Sequence, residues 1–202
     1  PAQDLGAESS TPGGTRSALA WTPDARALVF VGRQAERTSI YIRPLNASEA
    51  TPIKGTEGGQ APAVSPDGEW LAFWAGGRIK KVRLPDGGAV ADLMASGDAP
   101  WGLVWAGDNA IYFGRDDGQI WQIPPDGVPR AITRREAGVA WHALPWALPG
   151  GRVVLYTNRK RAWSWGDEEV VARTLATGEQ KVLLCDAAEP RFISTGHLLF
   201  LR

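Results

Sequence analysis

Short apolar runs, each introduced by a turn, recur along the whole chain. "TPDARALVF" (Thr22 to Phe30), "SPDGEWLAF" (Ser65 to Phe73), "AGDNAIYF" (Ala106 to Phe113), "LPGGRVVLY" (Leu148 to Tyr156) and "STGHLLF" (Ser194 to Phe200) align on their final aromatic residue. Those aromatics stand at 30, 73, 113, 156 and 200, a period of 40 to 44 residues. A regular period of this size marks repeated supersecondary units that stack on one another.

A second element follows each anchor: "SIYIRPL" from Ser39, "RIKKVRL" from Arg78, "QIWQIPP" from Gln119 and "EVVARTL" from Glu169. The first three read as strands with apolar residues on one face, and "EVVARTL" is less regular. The turns "NASE", "PDGG", "PDGV" and "TGEQ" come next, then the brief runs "ATPI", "AVADL", "PRAI" and "KVLL". With the apolar stretch before each turn ("SALAW", "APAV", "GLVW", "ALPWA"), every repeat holds four short strands, the content of one propeller blade. The predicted fold is all-β, a β-propeller of four-stranded antiparallel blades at about 17–55, 61–96, 101–134 and 141–184, with a partial blade at 191–202. Residues 1–16 are a separate segment, rich in Gly, Pro and Ser, expected to act as a closing strand or a linker. That poverty in strand formers favours a segment of a larger ring over a closed five-bladed ring.

Composition agrees. The 24 Gly and 15 Pro among 202 residues suit a turn-rich β chain, and 44% hydrophobic content supports a sizeable core. Lys plus Arg (22) balance Asp plus Glu (22), so charge provides no drive toward nucleic acid. No apolar run approaches the roughly 20 residues that span a bilayer, and no leader-like run opens the chain. A lone Cys185 leaves the redox compartment open.

Candidate chemistry is sparse. Asp24, Asp67, Asp86, Asp108 and Asp126 occupy repeated turns, where Asp bonds nearby backbone and Gly accepts positive φ. No second carboxylate or His recurs beside them, so they read as turn formers and not as acid–base groups. His142 and His197 fall in different repeats without Cys partners, which leaves a surface or hydrogen-bonded core role and no metal site. "RDDG" and "GDEE" lack the alternating oxygen ligands of a calcium loop, and "NAS" at Asn46 is a turn that also matches a glycosylation sequon. Neither a Gly-x-Ser-x-Gly nucleophile elbow nor a Walker-type phosphate loop is present, so no catalytic residue and no cofactor is expected.

One stretch breaks the repeat. "TNRKRAWSWGDEE" (Thr157 to Glu169) stands where the second blade has only "AGG" and the third "GRDDG". Its length, three consecutive cations and two Trp exceed what a hairpin needs. In a four-stranded blade this connection shares a rim with the segments between blades, which carry Glu57, Gln60, Asp98, Trp101, Trp141 and His142. Trp and Arg are enriched at the centres of binding surfaces. Arg161, Trp163, Trp165, Trp141, His142 and Trp101 are therefore the candidate binding rim, beside the plainer reading of a self-packed loop. Trp105 and Trp146, and Trp101 as an alternative to its rim role, also suit packing between blades.

"WTPDARALVF" and "VSPDGEWLAFW", each followed by an "IYIRPL"-type strand, resemble the WD-like Pro-Asp β-propeller repeats of the TolB type. The order from Arg43 to Val82 is similar to propellers fused behind bacterial serine/threonine kinases. Ala106, Gly107 and Asp108, and Leu148, Pro149 and Gly150, depart from the Ser-Pro-Asp pattern. The resemblance implies an extracytoplasmic, periplasmic or cell-surface sensor or interaction domain that takes a protein, peptide or small ligand. Two other classes stay open: the gating propeller of a prolyl-oligopeptidase-like peptidase, and a structural subunit whose edge another chain completes.

Overall fold

A computed structural model describes residues 18–34, 37–160 and 166–202. The chain divides into two compact units, Pro1–Trp105 and Ala106–Arg202. No helix occurs among the described residues.

In the first unit, β1 (Leu19–Trp21), β2 (Ala27–Gln34), β3 (Arg37–Pro44) and β4 (Thr51–Pro52) form one antiparallel meander. A second comprises β5 (Gln60–Val64), β6 (Trp70–Ala75), β7 (Arg78–Arg83) and β8 (Ala91–Ala95). Val29, Val31, Ile40 and Ile42 of the first sheet, with Ile53 just after β4, pack on Leu71, Phe73 and Val82 of the second. Ile79 and Val82 sit three residues apart, hence on opposite faces of β7, yet both are fully buried. The half-buried alternation expected from "RIKKVRL" gives way to a sheet covered on both sides.

The third sheet has the order β12-β11-β10-β9, with β9 (Leu103–Trp105), β10 (Ile111–Gly114), β11 (Ile120–Ile123) and β12 (Arg130–Ala131). The fourth is β13 (Trp141–Ala147), β14 (Val153–Arg159), β15 (Glu168–Thr174) and β16 (Gln180–Cys185), in chain order. β17 (Ala188–Phe192) and β18 (Leu198–Leu201) form a two-stranded sheet. In the second unit Ile120, Tyr156 and Val171 make a buried cluster with Ile132 against it. The irregular pattern of "EVVARTL" has a local cause, a register shift between Val170 and Val171 where β15 pairs with β16.

The turn between the first two strands repeats one bond and one backbone conformation in all five copies. Ala25, Gly68, Asn109, Gly151 and Gly196 all have positive φ. Each donates its N–H to the carbonyl three residues back, on Thr22, Ser65, Ala106, Leu148 and Ile193. The left-handed residue closes a three-residue loop in the Ala106 and Ile193 turns and lies within a four-residue loop in the other three, where Thr22, Ser65 and Leu148 donate their N–H groups to the carbonyls of Ala27, Trp70 and Val153. Ala25 is the member that is neither Gly nor Asn, the two residue types that adopt that conformation most readily. Ala25→Gly is therefore expected to raise stability by about 0.5 to 1 kcal/mol in urea unfolding, and a loss would refute the assignment.

A second backbone repeat has no counterpart in the sequence reading. Ala61, Gly102, Leu144 and Glu189, each four residues before the turn's first residue, also have positive φ. Three of them precede Pro62, Pro145 and Pro190, and register shifts mark the same places in β5, β13 and β17. The first strand of these sheets is bulged, which explains why β13 extends over the whole of "WHALPWA".

Candidate functional site

At the turn end of the blades the aspartates are engaged by their own hairpins. Asp24 Oδ1 accepts the Thr22 hydroxyl at 2.6 Å and the Arg26 N–H at 3.0 Å. Asp67 Oδ1 likewise accepts the Ser65 hydroxyl at 2.5 Å and the Glu69 N–H at 2.9 Å. The hydroxyls in turn accept the N–H groups of Ala27 and Trp70. The hydroxyl bond first, and the backbone bond next, hold both carboxyls below the ordinary aspartate range. Thr22, Pro23, Asp24, Arg26, Ala27, Asp67 and Gly68 border a shallow cavity of about 270 Å³. It is open, and both carboxylates already serve the turns. Among the described residues, no three His, Cys, Asp or Glu side chains are grouped to hold a metal ion.

Asp108 has a second task. Its Oδ1 accepts the Ala110 N–H at 3.1 Å, and its Oδ2 accepts the Tyr112 hydroxyl at 2.8 Å. Gln122 Nε2 donates to that hydroxyl at 2.9 Å, and Arg130 Nε donates to Gln122 Oε1 at 3.1 Å. Burial, then Asp108, raises the Tyr112 pKa, so the phenol is a fixed donor and not a proton carrier. The Ala106 and Gly107 departure thus leaves a working Asp, tied to its own blade.

The opposite end of the second unit holds the candidate rim. The β10–β11 hairpin brings Arg115 4.5 Å from the Trp121 ring centroid, while Trp121 Nε1 donates to Asp117 Oδ2 at 2.8 Å. The carbonyl of Gly118 accepts the His142 N–H at 3.0 Å, placing this hairpin beside the start of β13. A Cβ on Gly118 would lie 3.5 Å from Trp141 and 3.1 Å from Arg135, so Trp141, half-buried, sits against it.

His142 does not belong to this surface. Its ring is 3% exposed, with Nδ1 2.9 Å from Thr133 Oγ1 and its plane edge-on to Tyr156 at 4.9 Å. Successive strand residues point to opposite faces, so Trp141 and His142 face different surroundings, the first half-buried and the second buried. Burial first, then Arg173 and Arg135, lowers its pKa to about 4. The candidate rim is corrected accordingly, and His142 is a neutral core group. Trp101 lies in the first unit, partly buried ahead of β9. Trp105 and Trp146 are likewise half-buried, with Arg191 4.9 Å from the Trp146 ring centroid.

Arg161, Trp163 and Trp165 lie outside the described residues. The base of their loop is well defined: Arg159 and Glu168 are cross-strand partners, 4% and 5% exposed, with Nε and Oε1 3.5 Å apart. Lys160 Nζ meets Glu169 Oε1 at 2.6 Å, and Asn158 Nδ2 donates to Glu169 Oε2 at 3.2 Å. Two of the three consecutive cations are therefore matched by carboxylates of the facing strand. A near-mirror order of charges about the loop, Arg-Lys before it and Glu-Glu after it, is the sequence signal for this pairing.

Four-stranded antiparallel blades, repeated with one turn chemistry, define a β-propeller protein. Among solved structures the chain is similar to TolB from Acinetobacter baumannii, with TM-score 0.71 and 23% identity over 89% of this chain and 46% of that one. It is also similar to a TolB-type protein from Agrobacterium tumefaciens, with TM-score 0.69 and 19% identity over 86% of this chain and 68% of that one. An oligogalacturonate lyase in complex with manganese gives TM-score 0.60 and 15% identity over 82% and 52% of the two chains. The fold is thus that of a TolB-type propeller, and the chain spans about half the length of the Acinetobacter baumannii protein. No family model and no curated protein sequence matches it.

Proposed function

We propose that this propeller is a non-catalytic binding module whose second-unit rim recognises a protein or peptide partner. The observation that carries the reading is the β14–β15 connection. Residues 160–167 separate these strands, whereas only 76 and 77 separate β6 from β7. A rigid sheet with one enlarged loop is the usual arrangement for recognition. Half-buried Trp121 and Trp141, with Arg115 and Arg135 close by, add the residue types that dominate binding energy. The matched cations point to aromatic and apolar contact in preference to attraction of a polyanion.

The resemblance to propellers of bacterial kinases supports an extracytoplasmic sensor domain. A signal would then arise from differential affinity for two states of an attached or bound partner. No helix among the described residues is long and apolar enough to cross a membrane. The test uses the wild-type chain as bait, identifies the captured polypeptide and measures its Kd. Trp163→Ala with Trp165→Ala is expected to weaken binding at least tenfold, about 1.4 kcal/mol. An unchanged Kd in a folded variant would remove the rim from the proposal, and turnover of the captured molecule would remove the non-catalytic assignment.

A further inference from the structure

The Arg159–Glu168 pair is costly where it stands. Taking two charges out of water is repaid only in part by their attraction, so an apolar pair of similar volume serves stability as well or better. The corresponding ends of the β2–β3 and β6–β7 hairpins pair Gln34 with Arg37 and Ala75 with Arg78, without a buried ion pair. The pair occurs at the base of the one enlarged loop.

One further bond of the Glu168 carboxylate and two of the pair's backbone carbonyls reach the rim. Glu168 Oε2 accepts the Gly166 N–H at 2.7 Å, which ties the returning end of the loop. The Arg159 carbonyl accepts the N–H of Ala140, next to Trp141, at 2.7 Å. The Glu168 carbonyl accepts the Ala187 N–H at 3.2 Å, at the entry to β17. An apolar pair would fill the space but could not direct the Gly166 amide. Charge here supplies direction, as polar groups in apolar surroundings do when they select one arrangement among several.

We propose that Arg159 and Glu168 are positioning residues for partner recognition: Arg159 holds the Glu168 carboxylate, which in turn fixes the Gly166 amide where the chain returns to the blade. The inference rests on the rim reading for its purpose but not for its test. The decisive variant is Arg159→Met with Glu168→Leu, compared with wild type by thermal unfolding, by hydrogen exchange of the peptide containing Gly166 and by trypsin cleavage after Lys160. The expected result is an unfolding midpoint within about 3 °C of wild type. Gly166 protection should be lost, and cleavage should be about tenfold faster.

Glu169→Gln, which removes the charge facing Lys160 and leaves the Arg159–Glu168 pair in place, should leave Gly166 protection unchanged. Equal exchange and cleavage in wild type and the double variant would overturn the proposal. Should the double variant not fold, the wild-type chain still decides. Its Gly166 amide must exchange at least about tenfold more slowly than in an unstructured peptide of the same sequence, and equal rates overturn the proposal. Loss of protection alongside an unchanged Kd for the Trp163 and Trp165 variants would sink the rim reading alone.

Discussion

Gly87→Ala lowers the stability of the first unit by about 3 kcal/mol, the larger of the effects expected from a single methyl group. Gly87 lies in the β7–β8 connection with φ 75°, and it forms a parallel bridge with Lys54 at the end of the neighbouring sheet. Lys54 donates to the Asp86 carbonyl at 3.3 Å and accepts the Gly88 N–H at 3.1 Å. A Cβ on Gly87 would stand 2.2 Å from the Lys54 carbonyl oxygen and 2.7 Å from its nitrogen. Both are backbone atoms, which no rotamer change can clear. The methyl group must therefore break the bridge or move a sheet, in addition to the cost of a left-handed alanine. Gly76→Ala separates the two contributions, since Gly76 has φ 58° with open space around its Cβ direction. That variant should lose only about 1 kcal/mol. Equal losses in urea unfolding would show that the bridge contributes nothing.

Gly87 belongs to a "PDGG" turn that was readable from the sequence, but its contact with Lys54 was not. The distinction holds across the molecule. Turns were legible because Ser, Asp and Gly act on backbone within five residues, as Ser65, Asp67 and Gly68 do. The repeat of apolar runs fixed the number and order of strands for the same local reason. The bulges at Ala61, Leu144 and Glu189 were not legible, because a positive φ at a residue with a side chain is imposed by pairing with the neighbouring strand. The alternation of "RIKKVRL" predicts a half-buried strand, yet Ile79 and Val82 are both fully buried, since a strand cannot announce how many sheets will cover it.

The candidate site divides in the same way. The enlarged loop and its tryptophans stood out by departure from the repeat, which needs no coordinates. The cations beside them read as a binding feature until the register placed Arg159 opposite Glu168 and put Lys160 within reach of Glu169. Pairing across a hairpin depends on loop length and strand register together, and a run of charges contains neither. Trp141 and His142 show the limit at its smallest scale, adjacent residues sent to opposite faces by the pleat. One residue of displacement exchanged a rim candidate for a core one.

That exchange gives His142 a measurable consequence. A neutral imidazole with pKa lowered to about 4 meets an unfolded chain in which histidine titrates near its ordinary value of 6.5. Between these values the unfolded state binds the proton and the folded state does not, so stability rises with pH through this window. The contribution is fully present above 6.5 and is lost as pH falls toward 4. Its limit is roughly 3 kcal/mol at about 1.4 kcal/mol per pKa unit. Around the ring, Thr133 Oγ1 also accepts the Ile120 N–H, Tyr156 presents its ring, and Arg173 and Arg135 add repulsion. Among the described residues, the ring's hydrogen-bond partner is the Thr133 hydroxyl and not a carboxylate that would offset the proton's cost. Asp24 and Asp67, whose folded pKa values are lowered, lose their own contribution only as pH falls from the unfolded aspartate value toward their folded ones, leaving the higher window to His142. Urea unfolding at pH 7, 6, 5 and 4.5 should therefore show a steady loss in wild type that is much reduced in His142→Gln. A wild-type stability flat from pH 7 to 4.5 would mean that the buried ring accepts its proton without penalty, and the assignment of His142 to the core would fail with it.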